Sequence, residues 1–137
     1  SVLTPCVSLA HGFGRVGCSL AGCCHGKVTH GGFCFIYTHS IAAPNNVPLV
    51  PVQGIEAACL FLFTILFVVL LLCVPRKISI VRLYICMYAV LRFILEFFRG
   101  DTERGFIGVL SVSQVISIVM LCGAAASYLM QRRKPAT

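Results

Sequence analysis

Four apolar runs, each about twenty residues long, alternate with short polar stretches: residues 4–24, 54–74, 78–98 and 108–130. About 20 predominantly apolar residues, rising 1.5 Å each as a helix, cross the ~30 Å hydrocarbon core of a bilayer. The pattern therefore predicts an all-α fold, a polytopic transmembrane helical bundle of about four membrane segments. It forms one transmembrane domain over residues 1–137, with an outer loop at 25–53. The second run carries no charge after Glu56 and is closed by Pro75-Arg76-Lys77. The first is rich in glycine and interrupted by His11 and Arg15, which leaves a broken helix open. The third holds Arg82, Arg92 and Glu96, and the fourth contains Gly123-Ala124-Ala125-Ala126-Ser127, a small-residue stretch suited to close helix contact.

Composition agrees with a bilayer environment. The chain is 58% hydrophobic and 11% charged, with no tryptophan and a mean hydropathy of +0.95, unlike ordinary soluble domains. A formal charge of +7 on a soluble domain would raise nucleic acid as a partner. Here the basic residues flank apolar runs and fit membrane lipid with anionic headgroups instead, so no nucleic acid is expected. Arg76, Lys77, Arg132, Arg133 and Lys134 fall on one side if the spans alternate, and the positive-inside rule makes that side, with the C-terminus, cytoplasmic. Lys27, Arg99 and Arg104 lie opposite. Of the nine cysteines, Cys59, Cys73, Cys86 and Cys122 sit in apolar runs, where a thiol behaves as a small hydrophobe. The chain opens on Ser1 with no signal-like segment, so a fragment lacking its N-terminal part is expected.

Charge at bilayer depth is costly and normally faces a partner, a cavity or a substrate. Arg15 lies in Gly14-Arg15-Val16-Gly17-Cys18-Ser19-Leu20-Ala21-Gly22-Cys23-Cys24-His25-Gly26, and Arg92 precedes Glu96 by one helical turn, close enough to pair. Gln53 and Glu56 open the second span, and Ser113, Gln114 and Ser117 the fourth, at the same predicted level. Together they suggest a lipid-phosphate site, with a purely structural Arg92–Glu96 pair as the bland alternative. Arg82 is near the cytoplasmic end, where its stem can snorkel, and stays outside the site. Cys18, Cys23, Cys24 and His25 lack the spacing of a zinc knuckle, so no metal is expected. Leu20-Ala21-Gly22-Cys23 looks like a lipobox, but Arg15 interrupts the apolar run such a signal needs. His30 and His39 read as ordinary loop histidines.

Four of these stretches, Gly14 through Gly26, Val50-Pro51-Val52-Gln53-Gly54-Ile55-Glu56, Arg92 through Arg99, and Leu110-Ser111-Val112-Ser113-Gln114-Val115-Ile116-Ser117, resemble successive motifs of the prolipoprotein diacylglyceryl transferase family in order and spacing. The likeness runs from about Pro5 to Met130. It implies a seven-span enzyme of the bacterial inner membrane, multi-pass with a cytoplasmic C-terminus, of which this chain resembles the last four spans. Such enzymes move the diacylglyceryl group of phosphatidylglycerol to the lipobox cysteine of a preprolipoprotein signal peptide, forming a thioether and releasing glycerol phosphate without a cofactor. By this resemblance Arg15 matches the signature arginine and Arg92 the second functional arginine, both at the lipid headgroup. Glu96 matches the acidic residue beyond Arg92, completing the expected catalytic set. Gly26 matches a glycine the family needs, while Gln53, Glu56, Arg99 and Gln114 join Arg15 and Arg92 in the expected substrate cavity. Arginine suits that role because its planar, permanently charged fork grips phosphate and stabilises charge on a departing phosphate ester. Many members carry Asn at the position of Cys18 and Glu at that of Cys23, and their His-Pro-Thr-Gln-Leu-Tyr-Glu pattern is altered here to Val50 through Glu56. The family's upstream tyrosine and His-Gly-Gly motif fall before Ser1; His30-Gly31-Gly32 follows the signature and does not correspond to it. The chain alone is thus expected to be incomplete for activity, and the alternative function is a noncatalytic membrane module that binds anionic lipid.

Overall fold

A computed structural model describes residues 2–74, 79–100 and 105–133. Arg76, Lys77, Arg104 and Lys134, used above to orient the chain, lie outside the described residues.

Each apolar run becomes a helix. The first, α1 (Thr4–Ala21), has proline in its first turn and stops at Gly22, whose φ of 75° is left-handed and free of penalty only for glycine. The helix is continuous rather than broken: Gly12, Gly14 and Gly17 keep helical backbone, and His11 and Arg15 find partners described below. Helix α2 (Val52–Cys73) follows Pro51 and ends at the extended Val74 (φ −112°, ψ 128°), the conformation a following proline imposes on its predecessor. Helix α3 spans Ile80–Glu96 and α4 spans Val112–Arg133.

The fold is mostly helical, and the all-α expectation needs one correction. Two-residue strands β1 (Phe35–Ile36) and β2 (Pro48–Leu49) pair antiparallel, as do β3 (Phe106–Ile107) and β4 (Leu110–Ser111). Backbone amides and carbonyls in the connecting segments need partners, and these ladders supply them. Gly108, at φ 66°, turns β3 into β4, so the fourth helix starts at Val112 rather than at 108. In the long connection Val28 also bridges Leu49, and Gly26 bridges Arg99. The long connection is thereby tied to the strand before α2 and to the segment after α3.

Helices α1 and α2 pack intimately. The Ser8 hydroxyl donates to the Leu60 carbonyl (3.0 Å), and a Cβ at Gly12 would fall 2.7 Å from the Phe61 ring. Leu60 and Phe67 are fully buried. In contrast, Leu62, Ile65, Leu72, Val119 and Leu129 are exposed, which places broad apolar faces on the outside. α2 and α4 are each long and apolar enough to cross a membrane, yet only 22% and 11% of their most apolar stretches are buried. That distribution is the reverse of a soluble core helix. In the small-residue stretch of α4, Ala124 alone is buried and a Cβ at Gly123 would meet nothing; helix contact there is narrower than the sequence suggested.

Gln114 closes a capping box on α4. The Ser111 amide donates to its Oε1 (3.0 Å), and its own amide donates to Ser111 Oγ (3.3 Å). We expect Gln114→Ala to lower stability by about 1 kcal/mol in thermal unfolding in detergent. An unaltered midpoint would show that the capping box does not hold the start of α4.

Candidate functional site

Polar groups enter the apolar bundle along two ladders with helical spacing. α3 presents Tyr84, Tyr88, Arg92 and Glu96, each one turn after the last, and α1 presents His11 and Arg15. Where these ladders meet α2, a network forms around Glu56. Its Oε1 lies 3.1 Å from Arg15 Nε and accepts a hydrogen bond from the Tyr88 hydroxyl (3.0 Å). Arg15 Nη2 in turn donates to Tyr88 Oη (3.4 Å). His11 Nδ1 sits 3.0 Å from Tyr84 Oη, and its ring packs on Tyr88 with centroids 4.7 Å apart. Glu56 is 1% exposed; a carboxylate so buried persists only when paired and hydrogen-bonded, and Arg15 with Tyr88 meets that need.

One turn above Tyr88, Arg92 binds the second carboxylate. Its Nη2 is 3.2 Å from Glu96 Oε2 and donates to Ser113 Oγ on α4 (3.2 Å), while Ser117 donates to the Ser113 carbonyl (2.9 Å). Arg99 Nε stands 3.9 Å from the same Glu96 oxygen. Glu56 and Arg99 both lie within electrostatic range of Arg92. Among the described residues the guanidiniums of Arg15, Arg92 and Arg99 thus gather around the carboxylates of Glu56 and Glu96. Arg92 is 7% exposed, yet its Nη1 has no hydrogen-bond partner among the described residues. A buried donor on a cation is expensive to leave unmade, so this nitrogen is fitted for an incoming anion.

The remaining predicted residues support the walls. Gln53 donates from Nε2 to the Cys23 carbonyl (2.7 Å), fixing the turn after α1 against the start of α2. Tyr37 donates to the Ser19 carbonyl (2.8 Å) from the other side. At Gly26 the chain passes so close to Val50 that a Cβ would collide with its carbonyl oxygen. Lys27 N–H donates to Phe98 O (2.8 Å) and Gly100 N–H to His25 O (3.2 Å), so Gly26 fastens the signature segment to the end of α3. Gln114 is turned to its capping box. Arg15, Glu56, Arg92, Glu96 and Arg99 are therefore brought together, Gln53 and Gly26 act on the backbone beside them, and Gln114 acts at a helix end. Tyr88 and His11 were missed as members; the four-residue recurrence Tyr84, Tyr88, Arg92, Glu96 was the signal that could have found the tyrosine.

Comparison with known proteins bears on what this network belongs to. The family model described as prolipoprotein diacylglyceryl transferase matches residues 1–130. A phosphatidylglycerol–prolipoprotein diacylglyceryl transferase of Clostridium tetani is 42% identical over 121 residues, covering 85% of this chain and 47% of the relative. One from Clostridium perfringens is 36% identical over 133 residues (97% and 52%), and one from Dehalococcoides mccartyi 34% over 141 (97% and 51%). The chain spans about half the length of these relatives. No solved structure matches significantly. With a family model matched across nearly all of its length, the chain belongs to the prolipoprotein diacylglyceryl transferase family.

Proposed function

We propose that this chain serves phosphatidylglycerol-dependent transfer of a diacylglyceryl group to the lipobox cysteine of a preprolipoprotein, with its four helices as four spans of a bacterial inner membrane and its C-terminus in the cytoplasm. The observation that carries this reading is the buried guanidinium of Arg92, whose Nη1 has no hydrogen-bond partner among the described residues. In the transfer, the substrate thiolate forms a carbon–sulfur bond to the glyceryl carbon. The carbon–oxygen bond to phosphate breaks, and negative charge passes from sulfur to the departing glycerol phosphate. Arg92 Nη1 is placed to donate to that phosphate, and Arg15 adds a second cation from the facing helix. Preorganised donors of this kind act strongly where water is excluded. Glu96 and Ser113 hold Arg92, while Glu56 and Tyr88 hold Arg15, so neither guanidinium must be ordered during the reaction.

The test is reconstitution of the full-length protein in vesicles holding phosphatidylglycerol labelled in its diacylglyceryl part, with a lipobox peptide added. Label appearing on the peptide together with released glycerol phosphate is the expected result. Lipid retention without transfer would favour the noncatalytic, lipid-binding reading. Tyr88→Phe tests the positioning of Arg15. It removes a hydrogen bond to a charged group, worth about 1.5–3 kcal/mol, so kcat should fall roughly tenfold or more at constant KM. Unchanged kcat with a lowered unfolding midpoint would leave Tyr88 a scaffold residue.

A further inference from the structure

A second cationic centre lies at the far end of α3. A cleft of about 410 Å³ opens between α3 and α4, lined by Arg82, Leu83, Cys86, Ala124, Ala125 and Tyr128 among others, a size that admits a small ligand or part of a lipid chain. Its walls are mostly apolar, and its polar end is basic. The Arg82 guanidinium stands 5.7 Å from the centroid of the Tyr128 ring and that of Arg132 5.0 Å from the same ring. Arg82 Nη1 is buried with no hydrogen-bond partner among the described residues, so its side chain is not simply snorkelling into water.

Among the described residues no carboxylate pairs with these cations. The chain has four acidic residues: Glu56 pairs with Arg15 and Glu96 with Arg92, and Asp101 and Glu103 lie outside the described residues. Arg82 precedes Arg92 by ten positions, about 15 Å along the helix, so the two arginines serve separate centres. Two guanidiniums at one aromatic ring, beside an apolar cleft, match a phosphodiester beside an acyl chain.

The geometry points to a second lipid site, in which an anionic phospholipid lays an acyl chain between α3 and α4 and sets its phosphate against Arg82 and Arg132. The inference rests on the membrane-spanning reading above and is independent of the transfer reaction. It is tested with the full-length protein in phosphatidylcholine vesicles doped with a phosphatidylglycerol analogue carrying a photoreactive group on its acyl chain, adducts being mapped by peptide mass spectrometry. Adducts should fall on the segments around Leu83 to Cys86 and Ala124 to Tyr128. The double variant Arg82→Gln with Arg132→Gln should lower them about twenty-five-fold, roughly fivefold for each cation. Arg82→Lys with Arg132→Lys, which keeps the charge, should retain labelling within severalfold. Equal labelling by a phosphatidylcholine analogue, indifference to the double Gln variant, or adducts confined to other surfaces would overturn the site. Adducts near Arg92 and transfer to a lipobox peptide report on the reaction centre separately, so either proposal can fail without the other.

Discussion

Arg92→Gln is expected to reduce diacylglyceryl transfer by about 10²–10³-fold, the usual cost of deleting one preorganised donor from a site where charge develops. The substitution keeps a side chain of moderate length and removes the positive charge. Glu96 is not left alone, since Arg99 Nε stands 3.9 Å from the same oxygen, so membrane insertion and expression should persist. The loss should fall mainly in kcat, because the guanidinium is needed most when negative charge collects on the leaving phosphate; an effect confined to KM would assign Arg92 to headgroup binding alone. Arg92→Lys restores a charge without the planar fork that engages Ser113, Glu96 and a phosphate at once. It should therefore still lose about tenfold to a hundredfold on the same scale. Transfer within threefold of the parent for both variants would remove Arg92 from the reaction.

The prediction rests on a residue visible in the sequence, and the reason is the medium. In an apolar run an arginine has few harmless explanations, so Arg15 and Arg92 stood out by cost alone, and Glu96 followed from helical spacing. The same medium hid Tyr88 and His11. An aromatic ring in an apolar run reads as packing, and only the placement of α1 against α3 shows the Tyr88 hydroxyl bridging Arg15 and Glu56. Gln114 was ambiguous for a different reason: a glutamine at a helix start can face a cavity or close a cap, and the sequence contains both possibilities in Ser111-Val112-Ser113-Gln114. Helix positions were legible because long hydrophobic runs are a strong signal. The two short ladders were not, since two-residue strands are too brief to display alternation. The contact of Arg82 with Tyr128 of α4 was not legible either, because it depends on how α3 and α4 pack.

Gly26→Ala should be the most damaging small substitution outside the charged network. Its Cβ would collide with the Val50 carbonyl oxygen and fall 2.8 Å from Val50 Cβ and 2.9 Å from Val52 Cγ2, and a backbone atom cannot rotate away as a flexible side chain can. Relief requires the 26–29 segment to separate from its neighbours, breaking the bond from Val50 N–H to Lys27 O (2.9 Å) or that from Lys27 N–H to Phe98 O (2.8 Å). Overpacking of this kind costs about 1–3 kcal/mol, and a lost buried hydrogen bond adds its own penalty. The displaced segments carry the site: Phe98 precedes Arg99, and Val50 leads into Gln53 and Glu56. Gly100→Ala should behave alike, because its Cβ would lie 2.7 Å from the Gly26 carbonyl oxygen. Gly123→Ala serves as the control, since nothing lies within 4 Å of a Cβ there and alanine is the better helix residue. In detergent, the Gly26 variant should unfold several degrees below the parent and lose most transfer, while the Gly123 variant should match or exceed the parent's midpoint with activity retained. If Gly26→Ala and Gly123→Ala behaved alike, the close backbone crossing at residue 26 would have no part in holding Arg99 and Glu56 in register.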